Sequence, residues 1–270
     1  MKLPIAYQVY SARDEAQADL NGVLEKIKAQ GYDGVEFAGF YGHTAEDVRA
    51  MLVKHGLTAI SSHVPIAMII EDMFGVISYH KAIGCTYIAI PFLDEGSRPG
   101  AIGFAAMLKT IYQFGRLCRE AGIQLLYHNH DFEFVILSGQ YGLDFLYEAV
   151  PADILQTEID TCWVKYAGLD PAEYVRKYAG RCPVVHLKDY VGRRDGKTPY
   201  GLIGTGKAAD TDVAFSFKPV GLGCQDIPAI VNAAIQSGAK WLVVEQDQST
   251  ERPPLEAAKL SLSYLKTLGM

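Results

Sequence analysis

Four short stretches of this chain concentrate the side chains that do acid, base and metal chemistry. They are Tyr127-His128-Asn129-His130-Asp131-Phe132-Glu133, Glu158-Ile159-Asp160, His186-Leu187-Lys188-Asp189 and Glu245-Gln246-Asp247. Each follows an apolar run, so each reads as the polar end of a buried strand. Burying so many ionisable groups without partners costs several kcal/mol for each, so either water fills the space or a cation neutralises it. A cation is the preferred reading. Two Glu, one Asp and one His make a borderline-hard set, suited to one divalent ion: Mn2+ first, then Zn2+, Co2+ or Mg2+, with positions left open for a chelating substrate. The competing reading is a network of ion pairs at the same place.

Further residues have two readings each. His63, in Ser61-Ser62-His63, can donate to a substrate hydroxyl or serve as a structural group. Lys188 lies two residues beyond His186 and shares its side of a strand. There it would polarise a carbonyl, contact a phosphate, or simply neutralise Asp189 or Glu158. Glu36 reads as a partner for substrate hydroxyls or as a solvated loop carboxylate, and His128 and His130 as further substrate contacts. Trp163, Phe37, Phe40 and Phe132 could wall a substrate, or could be core.

The elements that must position these groups follow from a recurring phrase, an amphipathic stretch, a Gly and then a short apolar run. It appears at Gln30-Gly31-Tyr32, His55-Gly56-Leu57, Ile83-Gly84-Cys85, Ala121-Gly122-Ile123 and Ser237-Gly238-Ala239. A Gly there closes a helix in the left-handed conformation and hands the chain to a strand. Strands are predicted at Ile5–Tyr10, Tyr32–Phe37, Leu57–Ser62, Thr86–Ile90, Ile123–Asn129, Ile154–Ile159, Val184–Leu187 and Lys240–Glu245. Helices are predicted at Asp19–Ala29, Ala45–Lys54, Ala105–Glu120, Pro228–Gln236 and Leu255–Lys266. This alternation fits an α/β protein of one domain spanning 1–270, a (β/α)8 TIM barrel, whose function belongs at the C-terminal ends of its strands. No G-x-G-x-x-G follows the first strand, so a dinucleotide site there has no support. The long stretch Tyr190 to Cys224 reads as a lid or as a contact in a homo-oligomer. Its Gly204-Thr205-Gly206-Lys207 lacks the full P-loop spacing and reads as a flexible loop.

Composition narrows the classes. With 270 residues, 49% of them hydrophobic, the chain can bury a large core, and its net charge of -6 with dispersed Lys and Arg argues against a nucleic-acid partner. Five Cys without a C-x-x-C pair indicate neither a disulfide framework nor a Cys-rich zinc site, and read as reduced thiols of a cytoplasmic protein. Neither a signal peptide nor a membrane span is expected, so no membrane partner is.

Taken together, Gly31-Tyr32-Asp33-Gly34-Val35-Glu36, Tyr127 to Phe134, Asp160-Thr161-Cys162-Trp163, Val185 to Asp189 and Val244 to Asp247 resemble the xylose isomerase-like TIM barrel superfamily, in its sugar phosphate isomerase/epimerase branch. The resemblance implies one metal held by a Glu from strand five, an Asp from strand six, a His from strand seven and a Glu from strand eight. Carried over, these are Glu133, Asp160, His186 and Glu245. Glu133 matches by type, whereas His128 occupies the family position, so either supplies the strand-five ligand. Trp163 stands near where epimerases of this kind carry a His, and Leu222 where a Glu is frequent.

The expected activity is a divalent-metal-dependent isomerase or epimerase of a sugar or keto-sugar, in which the metal stabilises an enediolate. Glu133 or Glu245 acts as base and Lys188 supports catalysis from the same rim. Alternatives are a lyase on a keto-sugar, keto-inositol or 3-keto-glycoside, and a non-catalytic sugar-binding subunit. An endonuclease-IV-like repair enzyme would need more His ligands and a less acidic surface.

Overall fold

The structure is a computed structural model that describes residues 2–194, 199–202 and 214–270. Eight parallel strands form its centre: β1 (Ile5–Gln8), β2 (Gly34–Phe37), β3 (Thr58–Ser62), β4 (Tyr87–Ile90), β5 (Gln124–His128), β6 (Leu155–Asp160), β7 (Val184–Leu187) and β8 (Trp241–Val244). Their order is β3-β2-β1-β8-β7-β6-β5-β4. The two outer strands meet through a bridge between His63 and Ala89, reinforced by the Val64 amide donating to the Ala89 carbonyl at 2.9 Å. The sheet thus closes into the expected (β/α)8 barrel, with every expected strand present in its expected place.

Helices cover the outside: α1 (Arg13–Gln30), α2 (Ala45–His55), α3 (Ile66–Glu71), α4 (Met73–Ala82), α5 (Phe104–Glu120), α6 (Gly142–Ala149), α7 (Thr161–Tyr166), α8 (Pro171–Lys177), α9 (Ile227–Gln236) and α10 (Pro254–Thr267). All five anticipated glycines have positive φ, among them Gly31 (105°) and Gly56 (63°), which end α1 and α2. Helix α1 starts at Arg13, six residues before the expected Asp19. Asp19 has non-helical angles within it, and its carboxylate accepts from the Gly22 amide at 2.8 Å. The predicted start is therefore a real cap placed inside a longer, kinked helix.

Alternate residues of each strand divide between two cores. Ile5, Tyr7, Val35, Ile88, Leu125, Tyr127, Ile159, Val185, Leu187 and Leu242 face the helices. Ala6, Ile60, Tyr87, Ala89, Leu126, Val184 and Val243 fill the bottom of the barrel. Two residues further along β1, β3, β5, β7 and β8 the interior turns polar, at Gln8, Ser62, His128, His186 and Glu245, and the site lies there.

The stretch after β7 runs into Asp189–Gly192, which pairs antiparallel with Phe215–Lys218. Gly204-Thr205-Gly206-Lys207 lies outside the described residues, as does part of the expected lid or oligomer contact. The five Cys are free, four of them buried. Among the described residues no helix is long and apolar enough to cross a membrane.

Candidate active site

Strand parity and register assemble the site. Leu126 and Val184 face the barrel axis, so His128, His186 and Lys188 follow on the same side. On β6 the inward pair is Glu158 and Asp160, and at the end of β8 it is Glu245 and Asp247. In the ladders His128 stands opposite Glu158, and Asp160 opposite His186. Neighbouring strands therefore carry carboxylate and imidazole at the same height.

The donor atoms converge in two overlapping groups. Those of His128, Asp160, His186 and Glu245 lie within 4.8 Å of one another, and so do those of His63, His128, Glu158 and His186. His186 is central. Its Nδ1 is 3.0 Å from Glu245 Oε2, and its Nε2 is 2.8 Å from Glu36 Oε1. His63 Nε2 lies 2.7 Å from Glu158 Oε2 and 3.2 Å from Glu36 Oε1. Gln8 donates to Glu36 Oε1 at 2.6 Å, and Lys188 Nζ touches Asp247, Glu245 and Asp160 at 2.8, 3.0 and 3.4 Å.

Local structure fixes these side chains. Asp160 is the N-cap of α7, where one oxygen, Oδ1, accepts from the amides of Cys162 (2.8 Å) and Trp163 (3.3 Å). Its other oxygen is thereby turned toward His128 and Lys188. Asn129 clamps β5 to β6, accepting from the Asp160 amide at 2.9 Å and donating to its carbonyl at 3.2 Å. Thr161 donates to the His186 carbonyl at 2.7 Å. Asp189 accepts from the amides of Tyr190, Gly221, Gly223 and Gln225, which ties the return of the long loop to the end of β7.

The electrostatic balance is unequal. Glu36, Glu158, Asp160, Glu245 and Asp247 are all buried carboxylates, and among the described residues Lys188 is the one buried ammonium beside them, touching the last three. Among the described residues, Glu36 Oε2 and Glu158 Oε1 have no hydrogen-bond partner. Without a metal, protons on imidazole make up the deficit. Burial works against a charged His63, but the Glu36 and Glu158 carboxylates outweigh it and raise His63 to about 10. His186 is held well above its usual range, again against burial, by Glu36 and Glu158. Burial and then the neighbouring His186 drive His128 well below the usual range, leaving its imidazole neutral with a lone pair to give. Burial would raise Glu245, but Lys188 and His186 hold it far below the carboxylate range. Burial lifts Asp247 to about 7 in spite of Lys188. A neutral imidazole, ionised carboxylates and unpartnered buried oxygens form a set that fits a divalent cation.

The expected residues divide three ways. Asp160, His186, Glu245, Lys188, His63 and His128 come together in this cluster. Glu133 belongs to neither donor group. Its two oxygens accept from the Tyr127 hydroxyl (2.7 Å) and the His130 amide (2.8 Å), so His128 is the strand-five residue in the cluster. Glu36 is neither solvated nor a wall of the cavity above. It is fully buried in the barrel, because a two-residue step from Gly34 brings it to the inner face. Trp163 is also buried away from the cavity, packed 5.3 Å from the His130 ring and beneath Lys188 Nζ at 5.6 Å. Lys188 leaves Asp189 to backbone amides. Glu158 and Asp247, which the sequence places at polar strand ends without a role of their own, join the site by the two-residue step that links them to Asp160 and Glu245.

Above the cluster opens a cavity of about 710 Å3, lined by His63, His128, His130, Lys188, Glu245 and Asp247 and by residues from the first four strand ends. Among the described residues His130 Nδ1 has no partner, and the ring is held neutral by burial, with Lys188 adding to the shift. Residues 24–268 match the xylose isomerase-like TIM barrel family.

The chain belongs to that family. Solved structures agree on the fold of this xylose isomerase-like barrel. A sugar phosphate isomerase/epimerase from Parabacteroides distasonis superposes with a TM-score of 0.78 at 20% identity, covering 98% of this chain and 94% of the other. A probable 3-DHS dehydratase of petrobactin synthesis from Bacillus anthracis gives 0.73 at 11% identity, covering 98% and 99%. D-allulose 3-epimerase from a Methylomonas species gives 0.71 at 15% identity, covering 99% and 98%. No curated protein matches the sequence.

Proposed function

We propose that this xylose isomerase-like barrel is a divalent-metal-dependent isomerase or epimerase that moves a proton on the carbon beside the carbonyl of a sugar or keto-sugar. The observation that carries the reading is the donor cluster itself, with Asp160 Oδ2 lacking a hydrogen-bond partner among the described residues and a neutral His128, at the floor of an open cavity. The structural likeness to a D-allulose 3-epimerase fits it.

His128, Asp160, His186 and Glu245 would hold the ion, Mn2+ being our first choice, and it would supply Lewis acidity toward a carbonyl and the hydroxyl beside it. Lys188 lines the cavity with its charge fixed by three carboxylates, so it offers preorganised positive potential to enediolate charge as that charge develops. Glu245 lines the cavity and would serve as the base. Asp247, at about 7, can carry a proton near neutral pH. His130 presents its free Nδ1 to a substrate hydroxyl, and Glu133 holds the loop that carries it.

A lyase acting on a keto-glycoside is the second reading, favoured by a cavity that extends well past the polar floor and so has room for a leaving group. One experiment separates the two. The Mn2+-loaded protein is incubated with ketoses, keto-sugars and keto-glycosides in heavy water and followed by NMR. Deuterium on the carbon beside the carbonyl of an otherwise intact sugar is the predicted result. Release of the substituent would make the protein a lyase, and no exchange in any compound would refute enediolate chemistry.

A further inference from the structure

The cavity has two chemically different halves. The ends of β5, β7 and β8 supply His128, His130, Lys188, Glu245 and Asp247. The segments after β2, β3 and β4 supply Phe40, Val64, Pro65, Met68, Tyr79 and Phe92. The apolar side is organised. Phe40 stacks on Tyr79 with ring centres 4.3 Å apart, and Tyr79 spends its hydroxyl on the His43 carbonyl at 2.8 Å. Phe92 meets the His130 ring edge-on at 5.8 Å, so the apolar wall begins where the polar floor ends. Met68 remains 54% exposed at the mouth.

Size and charge narrow the occupant. A volume near 710 Å3 falls within the range of roughly 300 to 1,000 Å3 typical of sites for drug-sized ligands. One sugar ring seated on the polar floor leaves the apolar wall uncovered. Among the described lining residues the cations are Lys188, already held by three carboxylates, and His63, already held by Glu36 and Glu158. Glu71 and Asp72 border the apolar half and repel anions. Neither half offers a phosphate its ordinary partners.

We propose that the natural ligand is a sugar or keto-sugar carrying an uncharged, ring-sized apolar substituent, with the sugar on His130, Lys188, Glu245 and Asp247 and the substituent against Phe40, Met68, Tyr79 and Phe92. This rests on the sugar chemistry proposed above and adds the aglycone. Aromatic side chains reward burial of such a ring, and a hydrophobic substituent of that size is worth at least about ten-fold in affinity.

The test is calorimetric titration of the Mn2+-loaded full chain with methyl and phenyl D-glucopyranosides of both anomers, glucose 6-phosphate and phenol. The phenyl glycosides are expected to bind at least about ten-fold tighter than the methyl ones, with no gain for the phosphate. Met68→Glu, at an exposed position, is expected to erase the phenyl advantage, with retained metal content as the check that the variant is folded. A phenyl advantage that survives both Met68→Glu and Phe92→Ala would remove the assigned seat. Equal affinity for phenyl and methyl glycosides, or tightest binding of the phosphate, overturns the inference and leaves the sugar reading standing. Phenol binding with no glycoside bound overturns the sugar reading and leaves the apolar seat.

Discussion

Glu133 shows what residue type reveals and what it conceals. Its carboxylate is fully buried, and burial raises it to about 7 against the hydrogen bonds from Tyr127 and the His130 amide. Its ordinary value is 4.5, so between pH 4.5 and about 7 the unfolded chain ionises here while the folded one does not. Stability from this group is therefore complete below 4.5 and falls as pH rises toward 7. Glu133→Gln removes the titration while its carbonyl keeps the His130 amide and its NH2 donates to the Tyr127 hydroxyl, so the cost stays within about 1 kcal/mol. Urea unfolding should show a variant whose stability falls less than the parent's between pH 4.5 and 7, with metal content unchanged. Loss of the metal would make Glu133 a ligand after all. Sequence offered Glu133 and His128 as equals because type and position disagreed. Only the fold of the Phe132–Phe134 turn, which brings the carboxylate back to Tyr127, separates them.

At the scale of elements the sequence was more informative. Strand placement was legible because buried parallel strands are continuous apolar runs, and the glycines at helix ends mark the boundaries directly. The start of α1 was not, since Asp19 is a true cap that sits mid-helix. Strand parity reaches further than single motifs: it puts Glu158 with Asp160 and Asp247 with Glu245, and it sends Glu36 inside the barrel. Asp160 joins element and site, because one oxygen caps α7 while the other faces the donor cluster. Asp160→Asn keeps the capping oxygen and replaces the other by an amide, so it should melt within about 1 kcal/mol of the parent while losing most metal affinity. Asp160→Ala should lose both, with a further cost of about 1 to 2 kcal/mol from the missing cap. Thermal melts together with metal analysis distinguish the two, and an Asn variant that binds metal normally would remove Asp160 from the ligand set.

For the whole molecule, the barrel brings together more negative charge than it neutralises, and it does so beneath a cavity that is polar over one half of the mouth and apolar over the other. Neither the charge deficit nor the division of the mouth is visible along the chain, because both depend on which strand ends become neighbours. The fold, not any one motif, sets the demand for a cation. In the metal-free state His63 and His186 carry the compensating protons, so an arriving ion must displace protons to use the His186 lone pair. The most direct test is calorimetric titration of chelator-stripped protein with Mn2+ at pH 7, in two buffers of different ionisation enthalpy. The account predicts one ion per chain, proton release on binding, and affinity that weakens as pH falls. Failure to bind the ion at millimolar concentration, or proton exchange on substrate that continues after complete chelation, would contradict it.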